Sequence, residues 1–120
     1  MPINSRTKGK SGEREIVNLL KAEGFDVSRN LDQTRDGGFD IVGLDGIALE
    51  VKRAKKPLIS KWWSQAKAQA VGKYPVLAYR LDNQKWRVIV ECNFMHNELP
   101  TDITTELIWE DFVYFLRERA

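Results

Sequence analysis

Three charged residues in the segment GGFDIVGLDGIALEVKR, residues 37–53, could act together in one reaction: Asp40, Glu50 and Lys52. The segment is otherwise apolar and predicts two short strands joined by an Asp-Gly turn at residues 45–46. Pairing across this turn could bring Asp40 opposite Glu50. Because side chains alternate along a strand, Glu50 and Lys52 project from the same face. The pattern therefore brings two carboxylates and one ammonium group together.

Such a group has a recognisable chemistry. Two carboxylates a few ångströms apart repel, which raises the pKa of one of them unless a cation lies between them. Carboxylate oxygens with room for water suit Mg²⁺, and a neighbouring lysine can hold a phosphate or orient an attacking water. The arrangement is typical of metal-assisted phosphodiester hydrolysis. The alternative is a hairpin whose edge charges point into water, and the short D-x₉-E-x-K pattern alone leaves both interpretations open.

A third acid is predicted at the start of the first helix. An amphipathic helix begins near Ser11, carries an apolar face and ends at Gly24. Glu13 then lies in the first turn, where a carboxylate either caps the helix or joins a metal site above the hairpin. Arg14 could contact a neighbouring phosphate, and Glu15 is expected to be the more solvent-facing of the two acids.

The remaining pattern predicts the elements that must position these side chains. A strand at 25–30, a polar loop at 31–38 and the hairpin are followed by a helix with Ser60 as N-cap, strands at 74–81 and 85–92, and a helix at 107–119. The order α-β-β-β-α-β-β-α predicts an α/β fold with a mixed β-sheet of about five strands flanked by helices. At 120 residues, we expect one domain spanning 1–120.

Composition narrows the class of protein. The chain is 42% hydrophobic and 30% charged, which fits a globular protein and not a disordered one. No apolar run approaches the ~20 residues of a membrane span, and no apolar block follows the basic N-terminus as in a secretory signal. The single cysteine, Cys92, cannot form an internal disulfide. These features predict a cytoplasmic protein without a membrane partner.

The distribution of charge is uneven. Residues 52–73 carry seven Lys and Arg and no acid, whereas residues 91–120 carry seven acids against two arginines. A clustered basic surface is expected of a protein that binds a polyanion. The same pattern also fits a solvated helix face, so charge alone does not decide.

Three segments together resemble a known family: SRTKGKSGEREIVNLLKAEGF, GGFDIVGLDG and ALEVKR. They are similar to the archaeal-type Holliday-junction resolvases, a branch of the PD-(D/E)xK nuclease superfamily with phage-encoded members of about this length. The resemblance covers roughly the first 80 residues and departs at Phe39, where the superfamily motif has proline. It implies a restriction-endonuclease-like fold, a homodimer, and Mg²⁺-dependent paired cleavage of four-way DNA junctions, with Mn²⁺ as a substitute ion. For a phage protein it implies the host cytoplasm.

The resemblance also implies roles for individual residues. Glu13, Asp40, Glu50 and the Val51 carbonyl would bind metal, and Lys52 would be the catalytic lysine. A loop hydroxyl is assigned to Thr34, and a helix glutamine near the site to Gln69, with Gln65 as the alternative. The basic residues predicted to contact DNA are Arg6, Lys8, Lys10, Arg14, Arg35, Arg53, Lys55, Lys56, Lys61 and Lys67. No small-molecule cofactor is expected.

Two alternatives remain open at this point. The chain could be a PD-(D/E)xK nuclease of repair, recombination or restriction type that cuts other DNA. It could also be a DNA-binding module whose hairpin acids are structural. Metal-dependent cleavage separates the module from both nucleases, and paired nicks confined to a four-way junction separate the nucleases from each other.

Overall fold

The computed structural model describes residues 5–31 and 38–119. The strands are β1 (Ser28–Arg29), β2 (Ile41–Val42), β3 (Ile47–Ala54), β4 (Tyr74–Leu81), β5 (Arg87–Glu91) and β6 (Thr104–Ile108). The helices are α1 (Ser5–Ala22), α2 (Ile59–Ala70) and α3 (Trp109–Arg119), with a 3₁₀ turn at Cys92–Phe94. No helix in these described ranges is long and apolar enough to cross a membrane.

The six strands form one sheet in the order β1-β2-β3-β4-β5-β6. Four neighbouring pairs are antiparallel, and β3 pairs with β4 in parallel. A parallel pair needs a crossover connection, which α2 supplies. The predicted α/β fold with a mixed sheet is confirmed, with six strands where about five were expected.

Helices cover both faces of the sheet. On one side the larger core cluster brings α1 and α3 against the sheet, with Ile16, Leu20, Leu49, Val51 and Phe112 among its members. On the other side α2 packs onto the sheet through a cluster of Trp62, Ala66, Leu77, Tyr79 and Ile89. Because β3 side chains alternate, Glu50 and Lys52 project from the face opposite to Leu49 and Val51.

The first helix is longer than its sequence pattern indicates. It begins at Ser5, not near Ser11, so Glu13 lies in the helix interior and not in the first turn. The prediction was wrong because the segment up to Gly12 is polar and contains two glycines, which conceal the helical period. Glu13 is therefore too far from the helix N-terminus for the helix dipole to stabilise its negative charge.

Glu15 is the more exposed of the two acids, as expected, with 32% of its side chain exposed against 15% for Glu13, but it is bound to other residues. Its Oε1 accepts hydrogen bonds from Arg80 Nη1 at 2.6 Å and from Trp86 Nε1 at 2.8 Å. The carboxylate thereby ties α1 to β4 and to the segment before β5. It is a structural residue of the core edge.

Two further element boundaries differ from the predictions. The C-terminal helix starts at Trp109, since residues 104–108 pair with β5 as a strand. The predicted helix start at 107 was wrong because Leu107 fits both the short alternating strand and the helical stripe that follows. Helix α2 begins at Ile59 with Leu58 as its N-cap, so Ser60 lies inside the helix.

A close backbone contact holds the short outer strands against the hairpin. Gly43 has φ +112°, and a Cβ there would lie 2.3 Å from the carbonyl oxygen of Asp26. Both the torsion and the approach require glycine. This contact keeps β1 beside β2, the strand that begins one residue after Asp40.

Candidate active site

The hairpin register places the two carboxylates opposite each other. Ile41 pairs with Leu49, so in an antiparallel pair Asp40 lies across from Glu50. The Asp40 amide donates to the Leu49 carbonyl at 2.9 Å, and Asp40 Oδ2 accepts from the Val51 amide at 2.7 Å. The backbone of β3 therefore fixes both the main chain and the side chain of Asp40.

Glu50 is a buried carboxyl, with 1% of the residue exposed. Burial, then the charge of Asp40, raises the pKa of Glu50 to about 8, and the ammonium group of Lys52 acts in the opposite direction. Because the two carboxyls face each other across the hairpin, two full negative charges on the pair at neutral pH are unfavourable without a cation.

This raised pKa predicts how stability depends on pH in EDTA. Between pH 4.5 and about 8, Glu50 is ionised in the unfolded chain but protonated in the folded one. The unfolded state then binds fewer protons, so the contribution of Glu50 to stability is lost as pH rises through this window. Thermal melts should show Glu50→Gln gaining stability over wild type as pH rises from 4.5 to 8.

The matched control for that melt series is Asp45→Asn, which removes an exposed carboxylate from the turn of the same hairpin. A difference between Glu50→Gln and wild type that stays constant across the window would contradict the assignment of this pH dependence to Glu50.

Gln69 on α2 holds Glu50 in place. With its amide nitrogen turned toward the hairpin, Gln69 donates to Glu50 Oε1 and to the Gly38 carbonyl, the latter at 2.8 Å. The structure thus brings Gln69, and not Gln65, to the carboxyl pair. The contact links α2, β3 and the segment before Asp40.

Glu13 approaches from α1 and is paired with a residue that the sequence reasoning missed. Arg29 Nε on β1 lies 3.6 Å from Glu13 Oε1, and this buried nitrogen has no hydrogen-bond partner among the described residues. Burial and then the charge of Asp40 raise the pKa of Glu13, while Arg29 and Lys52 lower it. Glu13 therefore belongs to the same electrostatic cluster as the hairpin groups. A lone arginine at the end of a short strand gave no signal in the sequence.

The absence of a side chain at Gly12 allows α1 to lie close to β3. A Cβ at Gly12 would lie 3.0 Å from Arg53 Cγ and 3.4 Å from Val51 Cγ1. A side chain there would press the helix away from β3, and Glu13 is the next residue.

The neighbouring acids Glu13 and Glu15 should respond oppositely to the same substitution. Under the expected role of Glu13 in a metal-dependent nuclease site, Glu13→Gln should lower DNA cleavage roughly 10- to 100-fold, with little change in melting temperature. Glu15→Gln should cost about 1 kcal/mol of stability through its weakened bonds to Arg80 and Trp86, with unchanged cleavage by the folded protein. Single-turnover assays and thermal melts on both variants measure this. Equal loss of activity in the two would contradict the distinction.

Asn30 is a second residue that sequence reasoning did not find. It is buried, its Nδ2 donates to the Phe39 carbonyl at 2.9 Å, and its amide donates to the Asp40 carbonyl at 2.8 Å. Phe39 in turn packs with Ala48 and Ala70. These contacts hold the chain just before and at Asp40, where the superfamily motif has proline. Asn30 is the last residue of the predicted strand 25–30, and nothing in the sequence pattern there indicates its partners at 39–40.

One cleft of ≈ 350 Å³ is lined by Glu13, Asp40 and Lys52 among other residues. Its lining residues are Gly9, Glu13, Asp40, Val51, Lys52, Arg53, Ala54, Leu58 and Trp62. The cleft thus combines carboxylates, an ammonium group and an apolar wall, whereas the buried Glu50 pairs with Asp40 but is not among the lining residues.

The donor set can be compared with the needs of a divalent cation. Among the described residues, no three carboxylate, imidazole or thiol side chains converge closely enough to enclose a metal ion. Two carboxylates do converge, Asp40 and Glu50, and the charge of Asp40 helps to raise the pKa of Glu50, a repulsion that a bound cation would remove. Mg²⁺ commonly binds through one or two carboxylates and keeps several waters. The pair fits such an ion, whereas Glu13 does not converge with it into a three-acid group among the described residues, so metal binding by Glu13 and by the Val51 carbonyl stays a prediction.

The basic residues predicted to contact DNA lie in several places. Lys10 and Arg14 are exposed on α1, Arg53 lines the cleft, Lys55 and Lys56 are exposed after β3, and Lys61 and Lys67 are exposed on α2. Lys67 interacts electrostatically with Glu91 of β5. Arg6 and Lys8 belong to the first turns of α1, but their side chains lie outside the described part of the structure. Thr34 and Arg35 also lie outside the described residues.

The six-stranded mixed sheet, its crossover helix and the acidic hairpin define a restriction-endonuclease-like α/β protein. The family model described as "Phage putative PDDEXK endonuclease" matches residues 4–118. The chain belongs to this family, and it is therefore a phage-type PD-(D/E)xK endonuclease.

A comparison of structures supports the same fold. Hjc, a Holliday junction resolvase from the archaeal hyperthermophile Archaeoglobus fulgidus, matches with a TM-score of 0.50 and 23% sequence identity over 89% of this chain and 87% of that one. At this identity the similarity concerns the fold. Together with the family match it confirms the resemblance to archaeal-type resolvases that the sequence segments indicated. A search of curated proteins found no match.

Proposed function

We propose that the chain is a Mg²⁺-dependent endonuclease that resolves four-way DNA junctions by paired phosphodiester cleavage. The observation that carries the proposal is the pairing of the half-buried Asp40 with the buried Glu50, on the same face of the hairpin as Lys52, where burial and Asp40 raise the pKa of Glu50 and a cation would stabilise both carboxylates. Family membership supports DNA cleavage, and the fold shared with a Holliday junction resolvase supports the branched substrate.

Different residues of the chain would bind the ion, orient its ligands and contact the phosphate. Asp40 and Glu50, with Glu13 and the Val51 carbonyl, would hold the ion, which when bound stabilises negative charge on the phosphate. Gln69 orients Glu50, and the Val51 amide orients Asp40. Lys52, on the same face of β3 as Glu50, would contact the scissile phosphate and stabilise its developing charge.

The DNA would be held mainly through its phosphates. Lys55, Lys56 and Lys61 are exposed on the segments that flank Leu58, a lining residue of the cleft. Arg14 is exposed one residue after Glu13. Phosphate contacts carry no sequence information, so recognition would depend on the shape of the junction. Each phosphate neutralised should steepen the log–log salt dependence of binding by about 0.9.

We further propose that the chain works as a homodimer. A four-way junction offers two symmetry-related scissile phosphates, and a two-fold pair of identical sites can cut both. Mn²⁺ is proposed as a substitute for Mg²⁺, and the host cytoplasm as the place of action.

The test is cleavage of an end-labelled, immobile four-way junction with Mg²⁺, next to a linear duplex of the same sequence. The proposal expects paired, symmetric nicks in the junction, a spared duplex, and loss of cleavage in EDTA. Equal cleavage of both substrates would indicate a different PD-(D/E)xK nuclease. Tight binding of the junction without cleavage in Mg²⁺ or Mn²⁺ would indicate a DNA-binding module.

A further inference from the structure

The segment between β3 and α2 presents an apolar side chain to the catalytic cleft. Leu58 is 55% exposed and lines the cleft together with Glu13, Asp40 and Lys52. Trp62, one helical turn further along α2, lines the same cleft and is 6% exposed. One wall of an otherwise charged site is therefore apolar, and its exposed part is Leu58.

The stability of α2 does not explain this leucine. Leu58 is the N-cap residue of α2, with φ −130° and ψ 53°, and no side chain among the described residues caps the helix there. Leucine is one of the poorest residues at this position, where Ser, Thr, Asp and Asn are preferred. A residue that breaks a local rule without a structural gain is expected at a functional site.

The charges around Leu58 indicate which part of a DNA substrate its side chain contacts. Lys55 and Lys56 precede it, Lys61 follows it, and all three are exposed, whereas residues 57–60 carry no charge. The cations suit phosphates, but the apolar tip between them does not. The largest apolar surfaces of DNA are the faces of its bases, which are covered in a stacked duplex, where the thymine methyl group is the smaller apolar group exposed in the major groove. At a branch point stacking is interrupted, and a base face can be exposed at a lower cost.

We propose that Leu58 selects branched DNA by contacting the face of a nucleobase that is unstacked at the branch point, while the adjacent phosphate lies against Lys52. This inference rests on the proposed function. Because the unstacking cost is small at a branch and large within a duplex, the contact favours cleavage of junctions over linear DNA. Leu58 is then a specificity residue of the cleft, distinct from the groups that hold the ion.

The test compares three substitutions. Leu58→Ala removes most of the side chain, and since leucine and alanine are both poor N-caps, the start of α2 is retained. Leu58→Met keeps an apolar side chain of similar volume. Ile103→Ala is the matched control, because Ile103 is 52% exposed and lies beside β6 at the far edge of the sheet.

Two readouts are needed. The first is the ratio of junction to duplex cleavage, which Leu58→Ala should lower roughly tenfold or more, the size expected for losing three buried carbons. The second is the fluorescence of 2-aminopurine at the branch point of a four-way junction, with Ca²⁺ in place of Mg²⁺. Binding of wild type should raise this fluorescence, and Leu58→Ala should lose the rise. Leu58→Met and Ile103→Ala should keep both the ratio and the rise.

The outcomes separate this inference from the proposed function. Unchanged selectivity and fluorescence in Leu58→Ala would overturn the role of Leu58 while leaving the resolvase intact. A wild type that cuts linear duplex as readily as junctions would contradict the resolvase. Even then the fluorescence signal, which does not depend on cleavage, decides whether Leu58 contacts an unstacked base.

Discussion

Glu50→Gln should abolish DNA cleavage while leaving the protein folded. The substitution replaces a buried carboxyl by a neutral group of the same shape, so the hydrogen bond from Gln69 can be kept. It removes one of the two oxygen anions that converge on the hairpin, and with it the charge that a cation requires. We expect a loss of roughly a thousandfold or more in the single-turnover rate, the upper range for removing one group that stabilises the transition state. Junction binding should change little.

The control for this loss of activity is a thermal melt, which shows whether the Glu50→Gln variant is folded. Because burial and Asp40 raise the pKa of Glu50 to about 8, ionising Glu50 in the metal-free wild type costs stability at high pH, a cost that glutamine removes. Glu50→Gln should therefore melt at the same temperature as wild type or above it in EDTA at pH 8. A variant that is inactive because it is unfolded would contradict the expected result, as would one that keeps more than a tenth of wild-type activity.

Lys52→Met should give the next largest loss, roughly 100- to 1000-fold in the rate at saturating DNA. Methionine keeps much of the apolar stem but removes the ammonium group that faces the cleft. Since Lys52 acts to lower the pKa of both Glu50 and Glu13, its removal also leaves the acid cluster less charged. The effect should appear in the rate of cleavage and much less in the affinity for the junction.

Lys55→Met is the matched control for Lys52→Met. Lys55 is three residues further along and exposed beyond the end of β3. Its loss should weaken binding and reduce the log–log salt slope by about 0.9, with an unchanged rate at saturation. If Lys52→Met behaves like Lys55→Met, losing affinity alone, then Lys52 is a DNA-binding lysine and not a catalytic one.

The arrangement of the hairpin could be predicted from the sequence because it depends on local rules. The turn sets the register and the alternation of side chains sets the face, so the pairing of Asp40 with Glu50 followed from spacing alone. The amphipathic part of α1, the helix α2 and the strand β4 were also visible as sequence patterns, whereas the parallel pairing of β3 with β4 was not predicted. The start of α1 and the existence of β6 were not, because polar, glycine-containing and short alternating segments carry no distinct period.

The contacts that support the hairpin could not be predicted, because they join residues far apart in sequence. Arg29 meets Glu13 only after β1 is placed beside α1, and Asn30 reaches the Phe39 carbonyl only after β1 pairs with β2. Gln69 could be suggested as a helix glutamine, but its choice over Gln65 depends on the rotation of α2 above the sheet. The charged groups of the candidate site could be identified from the sequence, whereas the residues that hold them in place could be identified only from the packing of the folded chain.

The most direct test of the central claim, that the hairpin carboxylates form a metal site, is Mn²⁺ binding measured by electron paramagnetic resonance in the absence of DNA. Wild type should bind the ion, and Asp40→Asn and Glu50→Gln should each weaken binding by about tenfold or more. Glu15→Gln, which removes a carboxylate bound to Arg80 and Trp86, should bind as wild type does. Equal Mn²⁺ affinity in all four proteins would show that the ion binds elsewhere, and the account of the hairpin as the catalytic site would fail.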